Sequence, residues 1–159
     1  MQKVNVLFVC MGNICRSPVA EGVFSKLVAE AGLSDSISVD SAGTGAWHLG
    51  HAPDSRAQTS AKRRGIDISR QRSRLIEPED LSRFDYVLTM DEYNFREVSR
   101  LGSGGAVVRR FMDFHPDASV TEVPDPYYGE GDGFTQVMGL VEEASAGLLA
   151  EIRKRRSAS

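Results

Sequence analysis

Residues 4–18 read VNVLFVCMGNICRSP, and this stretch leaves few folds open. Val4 to Cys10 is rich in valine and phenylalanine without polar alternation, the pattern of a strand covered on both faces, as in a parallel sheet. It runs into a short loop holding Gly12, after which Ser17 and Pro18 read as the N-cap and first position of a helix. Such a strand–loop–helix junction is where ligands bind in open α/β sheets.

The rest of the chain repeats the alternation. SISVDSAG, FDYVLTM and AVVRRF read as three further strands. Helices are expected over Pro18–Ala31, with Val19, Val23, Leu27 and Ala31 on one stripe, and over PDSRAQTSAKRRG. A further helix is capped by Asp91, with Met90 and Phe95 spaced as a hydrophobic staple, and a last one runs from about Phe134 to Arg153. Gly32 and Gly65, each followed by an apolar residue, stop the first two helices. Strands alternating with helices predict an α/β fold: a three-layer α/β/α sandwich on a four-stranded parallel, doubly wound sheet. With 159 residues, 41% of them hydrophobic, the chain suffices for one sizeable core. A single domain over 1–156 is expected, with 157–159 a short disordered tail.

The formal net charge of −3 gives no broad cationic field for nucleic acid or an anionic membrane, so any anion site must be local. The two cysteines, Cys10 and Cys15, sit on one short loop, a poor disulfide framework that fits a reducing cytoplasm. No apolar stretch approaches a membrane span, and Lys3 and Asn5 break any signal-like run. His48, His51 and His115 lack metal-ligand spacing and read as surface loop residues. No metal and no cofactor is expected.

The loop between Cys10 and Ser17 carries the chemistry. A glycine turn whose amides curl ahead of a helix N-terminus forms an anion-binding nest suited to a tetrahedral oxyanion. Arg16 adds a planar two-donor fork for two phosphate oxygens. A thiol on the floor of that positive pocket ionises readily, so Cys10 is expected to attack phosphorus and form a phosphocysteine that water resolves. The leaving oxygen needs a proton. Asp125, in VPDPYYG, is expected to supply it as general acid and then to act as general base. C-x5-R-S spacing alone is only moderately specific; its place between a strand and a helix sharpens it.

With VCMGNICRSP at one end and DPYYG at the other, the sequence resembles the low molecular weight protein tyrosine phosphatases of the bacterial type. The likeness extends through VDSAGT, RRGID and FDYVLTMDEYN to the closing helix. It implies the same four-stranded fold, with Cys10 as nucleophile, Arg16 as phosphate clamp and Asp125 as general acid. Met11, Gly12, Asn13, Ile14, Cys15 and Ser17 then complete the phosphate-binding loop, with Asn13 and Ser17 holding it and hydrogen-bonding the thiolate. Ser41 is a supporting partner, while Trp47, Tyr127 and Tyr128 form the walls of a cleft deep enough to favour phosphotyrosine. By the same resemblance the partners are phosphotyrosine proteins, a bacterial tyrosine kinase among them, with inorganic phosphate as product and inhibitor. Nucleic acid and membrane are not expected partners, and monomer and weak dimer both stay open, since sequence does not separate core helix faces from weak dimer contacts.

One position departs from the pattern. Arg70 stands where the family usually has a histidine that supports the loop asparagine, so Arg70 is expected either to face solvent or to act as a substitute donor. Cys15 is either a small buried apolar residue or a resolving thiol for oxidised Cys10. Two alternative activities share the fold. Protein arginine phosphatases carry threonine where Ile14 stands and lack the paired tyrosines; arsenate reductases need further downstream cysteines that this chain lacks.

Overall fold

The structure is a computed structural model and describes residues 3–126 and 133–158. Four strands, β1 (Val4–Cys10), β2 (Ile37–Gly43), β3 (Tyr86–Thr89) and β4 (Val107–Arg110), pair in parallel in the order β2-β1-β3-β4. β1 is central, and its side chains alternate between two layers. Val6, Phe8 and Cys10 join the core beneath α1 (Arg16–Glu30), α2 (Ser55–Lys62) and α5 (Gly133–Ala158). Leu7 and Val9 join the core beneath α3 (Asp80–Arg83) and α4 (Glu92–Arg100). This is the expected three-layer α/β/α arrangement. Phe8 fixes the first layer, meeting Phe24 and Phe111 edge to face with ring centroids 5.8 and 4.8 Å apart.

Most of the local signals act as the residues dictate. Gly32 takes φ 72° and closes a Schellman motif, with the Leu33 amide donating to Val28 and the Gly32 amide to Ala29. Gly65, φ 75°, does the same for α2, through Ile66 to Ala61. Asp91 caps α4 by accepting from the Asn94 amide at 2.8 Å.

Four readings change. Ser17 is not the cap of α1: the helix begins at Arg16 with Cys15 at the N-cap and no side-chain cap bond, and Pro18 is its third residue. The Ser17 hydroxyl points to Cys10 and Asn13 instead of to its own helix. The short helix α3 and the 3-10 turn Phe111–Phe114 lack a long periodic pattern and were not expected. His115 is no surface residue, its side chain being 5% exposed against Glu143 of α5. And α5 carries Ser157 and Ala158, placed by the sequence in the tail, so the helix runs beyond residue 156.

α5 packs against the turn Phe111–Phe114 so closely that a methyl group on Gly147 would overlap the Phe114 carbonyl oxygen, whereas one on Gly139 would meet nothing. Gly147→Ala is therefore expected to destabilise the fold by about 1–3 kcal/mol through overpacking. Gly139→Ala should stabilise it by about 0.5–1 kcal/mol through helix propensity. Urea unfolding of the two variants checks both signs.

Candidate active site

The loop from Cys10 to Arg16 is turned inside out. Its carbonyls are held from outside: Cys10 by the Thr44 amide at 3.0 Å, Met11 by Gly45 at 2.9 Å and Ile14 by Asp54 at 2.8 Å. The Gly12 carbonyl accepts from the Ser73 hydroxyl at 3.0 Å. No protein acceptor takes the amides of Met11 to Cys15 among the described residues, and they lie ahead of the uncapped N-terminus of α1. Amides so arranged, with the helix dipole behind them, suit a tetrahedral anion.

Asn13 makes this backbone possible. It takes φ 55°, the one positive φ at a non-glycine residue among those described. Its buried amide is saturated: Nδ2 donates to Ser17 Oγ at 2.8 Å and to Ser41 Oγ at 3.0 Å, and Oδ1 accepts from the Arg74 amide at 3.0 Å. Since Nδ2 only donates, the Ser17 hydroxyl keeps its own proton, with Cys10 Sγ 3.0 Å away and the Ala42 carbonyl 3.4 Å away. The Ser41 hydroxyl donates to Glu21 Oε1 at 2.7 Å. Glycine is required at Gly43, where a side chain would meet the Met11 carbonyl oxygen at 2.8 Å.

Arg16 is 2% exposed. NH1 donates to Asp91 Oδ2 at 2.6 Å and to the Val123 carbonyl at 3.0 Å, and NH2 lies 3.6 Å from Asp125 Oδ2. Its buried Nε takes no protein acceptor. One edge of the fork is thus fixed, and the Nε side is left for a ligand. Burial pulls the guanidinium down, but Cys10, Asp91 and Asp125 outweigh it and raise it above its ordinary value. Asp91 was read only as a helix cap; that it also holds Arg16 follows from a contact 75 residues apart, which sequence spacing does not reveal.

These groups line a cleft of about 460 Å³ together with Trp47, His48 and Asp125. Of the residues from Cys10 to Arg16, Asn13 alone does not line it, because its side chain holds the loop from behind. Trp47 is 67% exposed, and its ring lies over Gly45, where a side chain would overlap it. Asp125 is 29% exposed at the cleft. Tyr127 and Tyr128 lie outside the described residues. Cys15, also free, is buried; burial first, then Asp54, Cys10 and Asp125, push its thiol up, against a lowering by Arg56.

Arg70 is exposed and makes no hydrogen bond to Asn13 or Ser41, which excludes the substitute-donor reading. The segment just beyond it supports the loop instead. Gln71 Nε2 donates to the Pro18 carbonyl at 3.1 Å, Ser73 to Gly12, and the Arg74 backbone to Asn13.

The cost of Asn13's conformation can be separated from the value of its side chain. Asn13→Gly keeps the positive φ and loses three hydrogen bonds, for an expected loss of about 2–3 kcal/mol. Asn13→Ala should lose about 1–2 kcal/mol more, because its Cβ resists this region. Equal stabilities of the two variants in urea unfolding would show that the backbone constraint does not matter.

The comparisons with known proteins agree with this geometry. A family model, that of the low molecular weight phosphotyrosine protein phosphatases, matches residues 5–158. The low molecular weight protein-tyrosine-phosphatase YfkJ of Bacillus subtilis is 38% identical over 155 residues, covering 96% of this chain and 98% of its own. Its crystal structure superposes with a TM-score of 0.92 over 98% of both chains. A Streptomyces coelicolor relative of the same description is 41% identical over 155 residues, covering 94% of each chain. The crystal structure of DARP, a Drosophila arginine phosphatase, superposes with a TM-score of 0.88 at 31% identity, over 92% of this chain and 96% of its own. By the extent of these matches, the chain belongs to the low molecular weight phosphotyrosine protein phosphatase family.

Proposed function

We propose that this protein hydrolyses phosphotyrosine in proteins through a phosphocysteine, without a metal. The observation that carries the reading is the Cys10 sulfur at 3.0 Å from the Ser17 hydroxyl, in one cleft with the unclaimed Nε of Arg16 and with Asp125. The phosphate dianion sits in the amide nest with two oxygens on the Nε edge of Arg16. Cys10 attacks as the thiolate: the S–P bond forms and the P–O bond to the tyrosine breaks, while Asp125 gives its proton to the departing phenolate. Water then attacks phosphorus, Asp125 takes its proton, and the thiolate leaves. Loop amides and Arg16 supply the positive charge that a metal supplies elsewhere.

Trp47 forms one wall of the cleft; Tyr127 and Tyr128, wall residues by resemblance, lie outside the described residues. Inorganic phosphate, the product, competes for the same loop. Two free thiols, one of them the nucleophile, suit a reducing compartment such as the cytoplasm. A second reading, phosphoarginine hydrolysis, is favoured by the likeness to the arginine phosphatase structure and opposed by Ile14, which lines the cleft.

Phosphate release from phosphotyrosine, phosphoserine and phosphoarginine peptides in EDTA tests these assignments. Release from phosphotyrosine alone is expected, abolished in Cys10→Ser and slowed about 10²- to 10⁴-fold in Asp125→Ala. Release that survives Cys10→Ser, or that EDTA stops, overturns the mechanism; preference for phosphoarginine overturns the substrate.

Cys15 is proposed as the resolving thiol: after peroxide converts Cys10 to the sulfenic acid, the Cys15 sulfur displaces water and a disulfide forms. Reductant should then restore peroxide-treated wild type fully and Cys15→Ser only in part. Equal recovery of the two overturns this role.

A further inference from the structure

Behind the loop lies a carboxyl that the reaction does not use. Glu21 of α1 accepts from Ser41 Oγ at 2.7 Å; Ser41 accepts from Asn13 Nδ2 at 3.0 Å; Asn13 donates to Ser17 at 2.8 Å, and Ser17 reaches Cys10 at 3.0 Å. Four hydrogen bonds therefore join Glu21 to the sulfur at the bottom of the cleft.

The charges around Glu21 do not balance it. Asp40 of β2 and Arg74 face it, but Arg74 is already shared by two carboxylates, Asp40 at 3.1 Å and Asp80 of α3 at 3.0 Å. Along α1 the residues one turn away are Ser17, Pro18, Phe24 and Ser25, none of them charged. Burial, with Asp40 adding to it, pushes the Glu21 carboxyl up to about 7, against lowering by the Ser41 hydrogen bond and by Arg74.

We propose that Glu21 is the proton-linked partner of the oxyanion loop: a tetrahedral dianion entering the nest drives a proton onto Glu21, and an ionised Glu21 weakens anion binding. The sign follows from Coulomb repulsion across a network whose inner members, Ser41, Asn13 and Ser17, are buried, and linkage makes it reciprocal. Filling the loop with two negative charges disfavours the Glu21 carboxylate. Ionising Glu21 as pH rises through neutrality disfavours the anion by the same factor. Product phosphate bound as the dianion is thereby released more readily once Glu21 is ionised. Glu21 touches no substrate and acts as a positioning and charge-setting residue.

This deepens the reading of the loop as an oxyanion site and rests on it, so the probe is sulfate, which stays a dianion throughout the relevant pH range. Calorimetry at about pH 7, in two buffers of different ionisation enthalpy, counts protons taken up when sulfate binds. Wild type and Cys10→Ser should both take up a fraction of a proton, and Glu21→Gln markedly less. Between about pH 6 and pH 8 the sulfate affinity of wild type should fall roughly threefold to tenfold further than that of Glu21→Gln. Sulfate binding with the same proton uptake and pH profile in wild type and Glu21→Gln overturns the proposal and leaves the oxyanion site standing. Absence of sulfate binding overturns both. Should Glu21→Gln not fold, the ¹³Cδ resonances of wild-type glutamates decide. One carboxyl titrating near neutrality, and moving higher when sulfate is added, is expected; all glutamates titrating in their ordinary range overturns the proposal.

Discussion

The site depends on a backbone that points its amides inward while the carbonyls of Cys10, Met11, Gly12 and Ile14 are satisfied from outside. An unpaired buried amide costs about 1–3 kcal/mol, so a row of them is tolerated only where the remaining polar groups are well held and an anion completes the set. Here the outside donors come from three separate segments: the chain just after β2 at Thr44 and Gly45, the start of α2 at Asp54, and the 73–74 strip. Asn13 converts those contacts into a shape, taking the left-handed conformation and securing it with each polar atom of its side chain. The parallel pairing of β1 with β2 brings Cys10 level with Gly43, which is what puts these segments within reach.

Arg16 follows the same logic from the other side. A guanidinium this buried is stable only with carboxylates beside it, and Asp91 and Asp125 flank it at opposite ends. Asp91 holds NH1 at hydrogen-bond distance, whereas Asp125 stands off at 3.6 Å and remains partly exposed. The tighter contact fixes the cation's orientation. The looser one keeps a carboxyl at the cleft without committing it to the arginine. An anion at the Nε edge would meet donors whose direction is already set, so little side-chain entropy remains to be lost on binding.

How far the sequence reveals this can be read residue by residue. β1 announces itself, because an apolar run without alternation belongs in a two-sided sheet, and its junction with α1 places Cys10 and Arg16 together. Gly32 and Gly65 announce helix ends, since the αL position they fill is local. The misreading of Ser17 has a physical cause: a serine before a proline is a good local cap, but tertiary contacts with Cys10 and Asn13 outbid the helix for its hydroxyl. Asp91, Glu21 and Arg74 were missed as functional residues for a related reason. Each lies far in sequence from what it touches, and each has a plausible local role as cap, solvated helix residue or surface cation. His115 likewise reads as a loop residue until α5 is laid against it. Local chemistry is legible in one chain; pairings of charged side chains across the fold are not.

Asp125 and Glu21 lie on opposite sides of the loop. Asp125 is on the open side, partly exposed, where a leaving group or an incoming water can meet it. Glu21 is on the closed side, separated from the sulfur by Ser41, Asn13 and Ser17, and no reacting atom reaches it. In the proposed mechanism a proton on Asp125 changes what bond can break, whereas a proton on Glu21 changes only the potential felt by whatever anion the loop holds. Asn13 cannot relay a proton between them, since its amide nitrogen only donates. The coupling from Glu21 to the cleft is consequently electrostatic and orientational, and the same asparagine that shapes the loop also insulates its chemistry from the carboxyl behind it.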